Sequence, residues 1–236
     1  MSRSNPTENT TPHPSTLWAE WDGSNGALRY YDKESKANVL IPDKFTMILL
    51  DQLSCINGWS DSNESGIYSN EIRSIGKDIL RVVTYSGKTI AEGIYKSISP
   101  SIASAGGKFT ANLYIAYKSV TLGKLAIGSI KLKGAALSSW LEFSKTNKDA
   151  IYAKAIVFNG CETGKKGAIT FKTPKFELKE ISEQTNLDAL NLDVVLQTYL
   201  KGKLAESGTA SSPADLPKEA EEMVEADEDD GDDLPF

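Results

Sequence analysis

The stretch Lys108–Lys118 carries the most informative spacing in the chain. Its odd positions are Phe109, Ala111, Leu113, Ile115 and Tyr117, and its even positions are Lys108, Thr110, Asn112, Tyr114, Ala116 and Lys118. Side chains alternate across a strand, so this pattern predicts one face in a core and another that shows lysines bracketing a tyrosine. A ring held between cations can stack a base while the cations neutralise phosphates, which is the chemistry of single-strand binding. The competing reading is a solvated face with an incidental aromatic. The mixture recurs: Arg81 shares a parity with Tyr85, Lys131 with Ser129 and Lys133, and Tyr152 with Lys154, while Tyr95 borders Lys96. Trp59 lies in the polar stretch from Asn57 to Gly66, with little core to enter, whereas Trp140 falls on an apolar helical stripe and is expected inside. The expected base contacts are therefore Tyr114, Tyr85, Tyr95 and Trp59. The expected phosphate contacts are Arg81, Lys108, Lys118, Lys131, Lys133 and Lys154, with Arg73 and Lys165 or Lys166 at the edge.

Other chemistries fail on residue type or spacing. His13 is the only histidine and sits in a proline-flanked polar stretch, so histidine-based zinc sites and Ser-His-Asp catalysis have no residue to use. Ser86-Gly87-Lys88-Thr89 has the end of a phosphate-binding loop, but the leading glycine would fall on Val82. Gly160 and Gly164-Lys165 are one residue too close, and Lys166 stands where Ser or Thr is needed. The acids of the central region are scattered, without the paired carboxylates of a two-metal nuclease. No catalytic residue, metal or cofactor is expected. Cys55 and Cys161 are too far apart in sequence for a metal pair and form no disulfide framework, and they read as free thiols of a reducing compartment. No apolar run of about 18 residues and no signal-peptide pattern occur, so membrane insertion and secretion are not expected and a cytoplasmic location is.

These candidates must be positioned by a chain of 236 residues, 40% hydrophobic and 25% charged, enough for one sizeable core. The net charge of −6 averages opposite regions. Residues 206–236 hold 12 acids and one base, a net of −11, while Arg73 to Lys179 holds 18 bases and six acids, a net of +12. Such asymmetry points to a polyanion or membrane surface for the basic part and a separate task for the acidic part. Residues 1–16 read as a disordered arm, 17–205 as one domain, and 206–236 as a disordered linker and acidic tail.

Within the domain, strands are expected over Ala27–Tyr31, Asn38–Ile41, Leu80–Tyr85, Thr89–Tyr95, Lys108–Lys118, Lys124–Lys133, Ala150–Asn159 and Ala168–Phe171, and the apolar run Phe45–Ile56 reads as a buried strand, with a helix as its alternative. Helices are expected over Ala135–Lys145, with Leu137, Trp140 and Leu141 on one stripe, and over Leu192–Lys201, capped by Asn191 and stopped by Gly202. The class is mostly β: a single small barrel with an inserted helix and a C-terminal helix, between disordered termini.

The chain ends Asp227-Glu228-Asp229-Asp230-Gly231-Asp232-Asp233-Leu234-Pro235-Phe236, an apolar plug on a charged tether. Acids can steer an encounter with a basic groove while the terminal Phe and carboxylate fix register. This end resembles bacterial single-stranded DNA-binding proteins, whose acidic tips close Asp-Asp-(Ile/Leu)-Pro-Phe, as Asp232, Asp233, Leu234, Pro235 and Phe236 do here. The folded part is similar to the larger single-chain OB-fold proteins that bacteriophages use to coat replication intermediates, and no base-contacting residue carries over by motif. The resemblance implies an OB fold, single-stranded DNA binding, and recruitment of host or phage replication and repair proteins through the tip; the expected function is sequence-independent protection of single-stranded DNA in replication, recombination and repair, with self-association on DNA as a further partner expectation. It implies a non-enzymatic protein acting in the cytoplasm, that of the host if phage-encoded. The alternative is an acidic-tailed adaptor or chaperone whose basic face holds its own tail.

Overall fold

The computed structural model describes residues 12–41 and 44–206. The tail, including the tip Asp232–Phe236, and residues 1–11 of the expected arm lie outside the described residues. The chain opens with β1 (Leu17–Asp22), β2 (Ala27–Asp32), β3 (Ala37–Leu40), the long β4 (Thr46–Ser60) and β5 (Ser65–Ser69). Next come β6 (Leu80–Thr84), β7 (Thr89–Gly93), α1 (Tyr95–Ser104), β8 (Gly107–Lys118) and β9 (Leu125–Lys133). It closes with α2 (Ala135–Thr146), β10 (Ala155–Lys166), β11 (Ile169–Lys179) and α3 (Glu183–Glu206).

The strands join in one mixed sheet in the order β3-β2-β1-β9-β8-β4-β5-β6-β7, with the β10–β11 hairpin branching from the start of β4. Among the described residues only the β1–β9 ladder is parallel. The architecture is mostly β, with the expected helix between β9 and β10 and the expected C-terminal helix. It is an open sheet rather than a clearly closed barrel. The free side of β11 meets the β1–β2 turn through Lys172 N–H donating to Gly23 O (2.8 Å) and Trp21 Nε1–H donating to Lys172 O (2.8 Å).

One sheet face carries the main core. Ile56, Ile67, Leu113, Ile115 and Ile130 interlock there with Ile98 and Ile102 of α1 and with Leu137 and Trp140 of α2. Trp140 is fully buried and its Nε1–H donates to Gln52 Oε1 (2.8 Å). The other face is covered along part of its length by α3, whose Leu196, Leu200 and Leu204 pack on Leu53, Tyr114 and Ile127.

That second layer explains where the sequence reading falls short. Helix α3 starts well before Asn191: the Ser182 hydroxyl accepts the Thr185 N–H (3.2 Å) and caps it. It also runs through Gly202, because burying Leu204 outweighs the roughly 1 kcal/mol a helical glycine costs. Helix α1 was not expected: only its first residue, Tyr95, fell in an expected strand, and Pro100 in its middle masks the helical spacing. The short strands β1 and β5 were not expected. Pro12 to Thr16, expected in the disordered arm, lie on the domain. His13 wedges between Trp18 (ring centroids 4.2 Å) and Tyr199 of α3 (4.8 Å), 5.9 Å from the Tyr114 ring.

Helix α3 is tied down by two buried charged groups. Glu71 accepts hydrogen bonds from the Tyr114 hydroxyl (2.8 Å), from Asn112 Nδ2 and from Lys203 Nζ of α3 (2.9 Å). Asp51 takes a two-pronged contact from Arg73 (3.0 and 2.6 Å) and a bond from Gln197 Nε2 of α3 (2.9 Å). Burial alone would raise the Glu71 pKa, but Lys203 and the two hydrogen-bond donors outweigh it and hold the carboxyl below its ordinary value. Burial, and secondarily the Lys203 charge, push His13 the other way, down to about 4.

Both shifts make the fold acid-sensitive. Between pH 6.5 and about 4 the unfolded chain protonates His13 while the folded chain does not, so stability falls as pH drops through that window. Below about 4.5 Glu71 adds to the loss, because the unfolded carboxyl takes its proton first. Thermal melts from pH 7 to 4 should show a falling Tm. His13→Phe, aromatic but unable to charge, should flatten the part above about pH 4.5, and an unchanged slope would contradict the wedge.

Candidate nucleic-acid interface

The β4–β5 and β5–β6 registers place an exposed aromatic group at the far end of the sheet. Asn57 pairs with both Lys108 on β8 and Tyr68 on β5, Tyr68 pairs with Val83 on β6, and Trp59 pairs with Gly66. Partners across a ladder share a face, so Trp59, Tyr68 and Tyr85 all point away from the main core. They are 57%, 41% and 71% exposed. The Tyr68 and Tyr85 rings stack at 5.3 Å and 30°.

Two glycines make room for this surface. A Cβ on Gly66 would lie 2.3 Å from the Tyr85 ring, so that ring rests directly on the strand backbone. Gly106, at φ +88°, lets the backbone entering β8 approach the Trp59 carbonyl, where a Cβ would sit 2.1 Å from the oxygen.

Cations rim the aromatics. Arg81 shares the outward parity of Val83 and Tyr85 and lies 3.7 Å from Glu92 across the β6–β7 ladder. Lys108 is exposed beside Asn57, and Lys88, in the turn after β6, reaches Asn63 Oδ1 (2.8 Å). Lys133 and Lys131 pair with Thr110 and Asn112, which puts them on the same face, one and two rows from Lys108. Lys133 is 3.8 Å from Glu20, and Lys131 makes no ion pair among the described residues. Flat π faces within reach of several ammonium and guanidinium groups can hold unpaired bases and their phosphates.

Of the residues expected from sequence, Trp59, Tyr85, Arg81, Lys108, Lys131 and Lys133 therefore share one sheet face. The others do not join them. Tyr114 is fully buried beneath α3, its hydroxyl bonded to Glu71 and its pKa raised by burial and by that carboxylate. It has no face to offer a base. Tyr95 begins α1 and packs its ring edge-on against Phe109 (5.2 Å) inside the core. Arg73 spends its guanidinium on Asp51 within a nearly buried pair. Lys118 is exposed but sits at the other end of β8, ten residues and roughly 33 Å from Lys108. Lys154, near that same end of β4, pairs with Glu180 at 2.5 Å. Lys165 and Lys166 lie at the β10–β11 turn, apart from the aromatic group.

Sequence reasoning missed Tyr68 and Lys88. The available signal for Tyr68 was its alternation with Ile67 in Ser65–Ser69, where Ile67 enters the core and Tyr68 faces out. Cys55 is buried, which pushes its thiol up to about 12, and Cys161 is half-buried; both are free. Among the described residues no group of His, Cys, Asp and Glu is placed to hold a metal, and no helix is long and apolar enough to cross a membrane. No protein-family model, no curated protein and no solved structure matches this chain.

The seat of Tyr85 on Gly66 can be tested directly. Gly66→Ala should push the ring off the strand and off Tyr68, with a stability change within about 0.5 kcal/mol because the displaced ring is exposed and free to swing. Aromatic proton shifts in NMR spectra should report the lost stacking, and unchanged Tyr68 and Tyr85 ring shifts would contradict the packing.

Proposed function

We propose that this protein binds single-stranded DNA without sequence preference and protects it during replication, recombination and repair, as a non-enzymatic coating protein. The observation that carries this reading is the gathering of Trp59, Tyr68 and Tyr85, exposed and cation-rimmed, on the sheet face opposite the core. The rings offer stacking that tolerates any base, and Arg81, Lys88, Lys108, Lys131 and Lys133 offer neutralisation along a backbone. The tip Asp232–Phe236 supports the same reading through its resemblance to bacterial single-stranded DNA-binding proteins, as the recruiting element for replication and repair proteins. We read the strands from β1 through β9, β8, β4 and β10 to β11 as an OB-like barrel, supported by the contact of Lys172 with Gly23 and Trp21. The setting is the cytoplasm, that of the host for a phage-encoded chain, with self-association along the coated strand.

A second reading, a protein-interaction adaptor or chaperone, is favoured by the exposed Leu187, Leu190, Val194 and Val195 of α3. The two readings part on titration with oligo(dT). Trp59 and Trp18 are the exposed indoles, so DNA binding predicts stoichiometric tryptophan quenching that Trp59→Phe reduces.

Affinity should fall log-linearly with salt, by a slope of about 0.7 per phosphate contact. Tyr85→Ala should lose roughly 1–3 kcal/mol of binding. Tyr114→Phe should bind like the wild type and show its effect in stability instead, because Glu71 loses a donor. Wild-type affinity in Tyr85→Ala, or a large binding loss in Tyr114→Phe, would place the interface elsewhere.

The tail divides into charge and plug. Deleting Phe236 keeps every acidic side chain, so DNA affinity and its salt slope should hardly move, while capture of replication and repair partners should drop by about 2 kcal/mol or more. Retention of the same partners by the deletion would reduce the tip to a solubilising tail.

A further inference from the structure

The outward face of the sheet carries a second aromatic group, separated from the first by the lysines of β9 and β8. Trp18 pairs with Ser129 and Glu20 with Lys131 along the β1–β9 ladder, and Tyr31 pairs with Asn38 on β3. Trp18 and Tyr31 are 49% and 58% exposed and line an open cleft of about 190 Å³ with Asn38, Ser129, Arg29 and Lys131. His13 packs between Trp18 and Tyr199, so the indole is braced on its α3 side and open toward the cleft. Glu20 and Asp22 are engaged by Arg29, and Lys133 adds a further cation near Glu20, which leaves Lys131 available at the cleft wall.

We infer that the Trp18–Tyr31 cleft is a second base-stacking subsite for single-stranded DNA, joined to the Trp59–Tyr68–Tyr85 group by a phosphate path over Lys131, Lys133 and Lys108. The inference rests on the proposed DNA-binding reading and extends it from a patch to a track. Continuity carries it. Lys131 and Lys133 stand one row apart on β9, Lys108 follows one row further on β8, and all three share the face of both aromatic groups. Six strand spacings separate β2 from β6 in the sheet order, roughly 29 Å at about 4.8 Å each. A single strand occupying both ends fits the range of about 4–16 nucleotides that one fold of this kind covers. The two rings offer flat apolar faces in a site where the exposed Asn38 can meet a base edge, and its cations suit a polyanion.

The test uses the full-length protein and an oligo(dT) of about 20 nucleotides, long enough to reach both groups. Tyr31→Ala should weaken binding about fivefold or more, the loss of one stacked base, while Tyr31→Phe, which keeps the ring, should bind like the wild type. Photo-crosslinking of wild-type protein to an oligonucleotide carrying 5-iodo-deoxyuridine should label Trp18 or Tyr31 as well as the Trp59–Tyr85 group, a readout that needs no variant. If Tyr85→Ala weakens binding but Tyr31→Ala does not, and no label reaches residues 17–32, the cleft is not a subsite and the proposed function stands without it. If neither substitution weakens binding and neither group is labelled, the proposed function fails and takes the track with it. Labelling of the cleft alone would refute the continuous track, and equal losses in Tyr31→Phe and Tyr31→Ala would refute stacking.

Discussion

The arrangement depends on a carboxylate buried between a sheet and a helix. Glu71 sits against β8 and β4 with Tyr114, Asn112 and Lys203 as its donors. Burying an unpaired carboxylate is prohibitive, so these three donors are what lets the fold hold Glu71 there. Two of them belong to β8 and the third to α3, which makes the helix part of the solvation shell of the charge. Removing one partner of such a buried pair typically costs about 3–5 kcal/mol, a large fraction of a domain's stability. The Asp51–Arg73–Gln197 cluster repeats the device further along the helix.

Pinning α3 in this way divides the outward sheet face. The part under the helix becomes a second core of Leu53, Tyr114, Ile127, Leu196 and Leu200. What stays open lies on either side: β4, β5 and β6 with Trp59, Tyr68 and Tyr85, and β1 and β2 with Trp18 and Tyr31, with Lys131, Lys133 and Lys108 between them. Trp59, Tyr68, Trp18 and Tyr31 stand on paired strands, and Tyr85, the first residue of the turn after β6, is held to β5 by its N–H donating to Gly66 O, so the rings are presented on a rigid support. Arg73 to Lys179 carries a net +12 against the net −11 of residues 206–236, a charge contrast that suits the proposed polyanion ligand.

Period-two spacing was legible where one face met a core. Phe109, Ala111, Leu113 and Ile115 entered the interior as their alternation requires, and the β2–β3, β6–β7 and β8–β9 pairings follow the expected runs. The same spacing could not tell a polar face in water from a polar face under a helix. Thr110, Asn112 and Tyr114 look solvated in one dimension, yet they are buried: leucines of a helix some 80 residues later in the chain cover Tyr114, and Asn112 and Tyr114 donate to Glu71, whose charge Lys203 of that helix meets. Arg73 failed for a related reason: its partner Asp51 is brought to it by the return of the chain along β4, which no local pattern announces. Tyr95 lay at a strand-to-helix junction hidden by Pro100, and Lys118 and Lys154 were right in type but stand at the wrong end of the sheet. Trp59 was readable because its same-parity neighbours Asn57 and Asp61 are polar, and Tyr85 because it shares a parity with Arg81 opposite Leu80 and Val82.

We propose that single-stranded DNA lies on the exposed aromatics flanking α3, and not on the face beneath it, while the helix stays in place. A crystal structure of the full-length protein with bound oligo(dT) tests it most directly. Bases should stack on Trp59, Tyr68 and Tyr85, with Lys203 still on Glu71 and Tyr114 still covered. A helix lifted from the sheet with bases against Tyr114, or a strand bound at the Lys118 end, would contradict it.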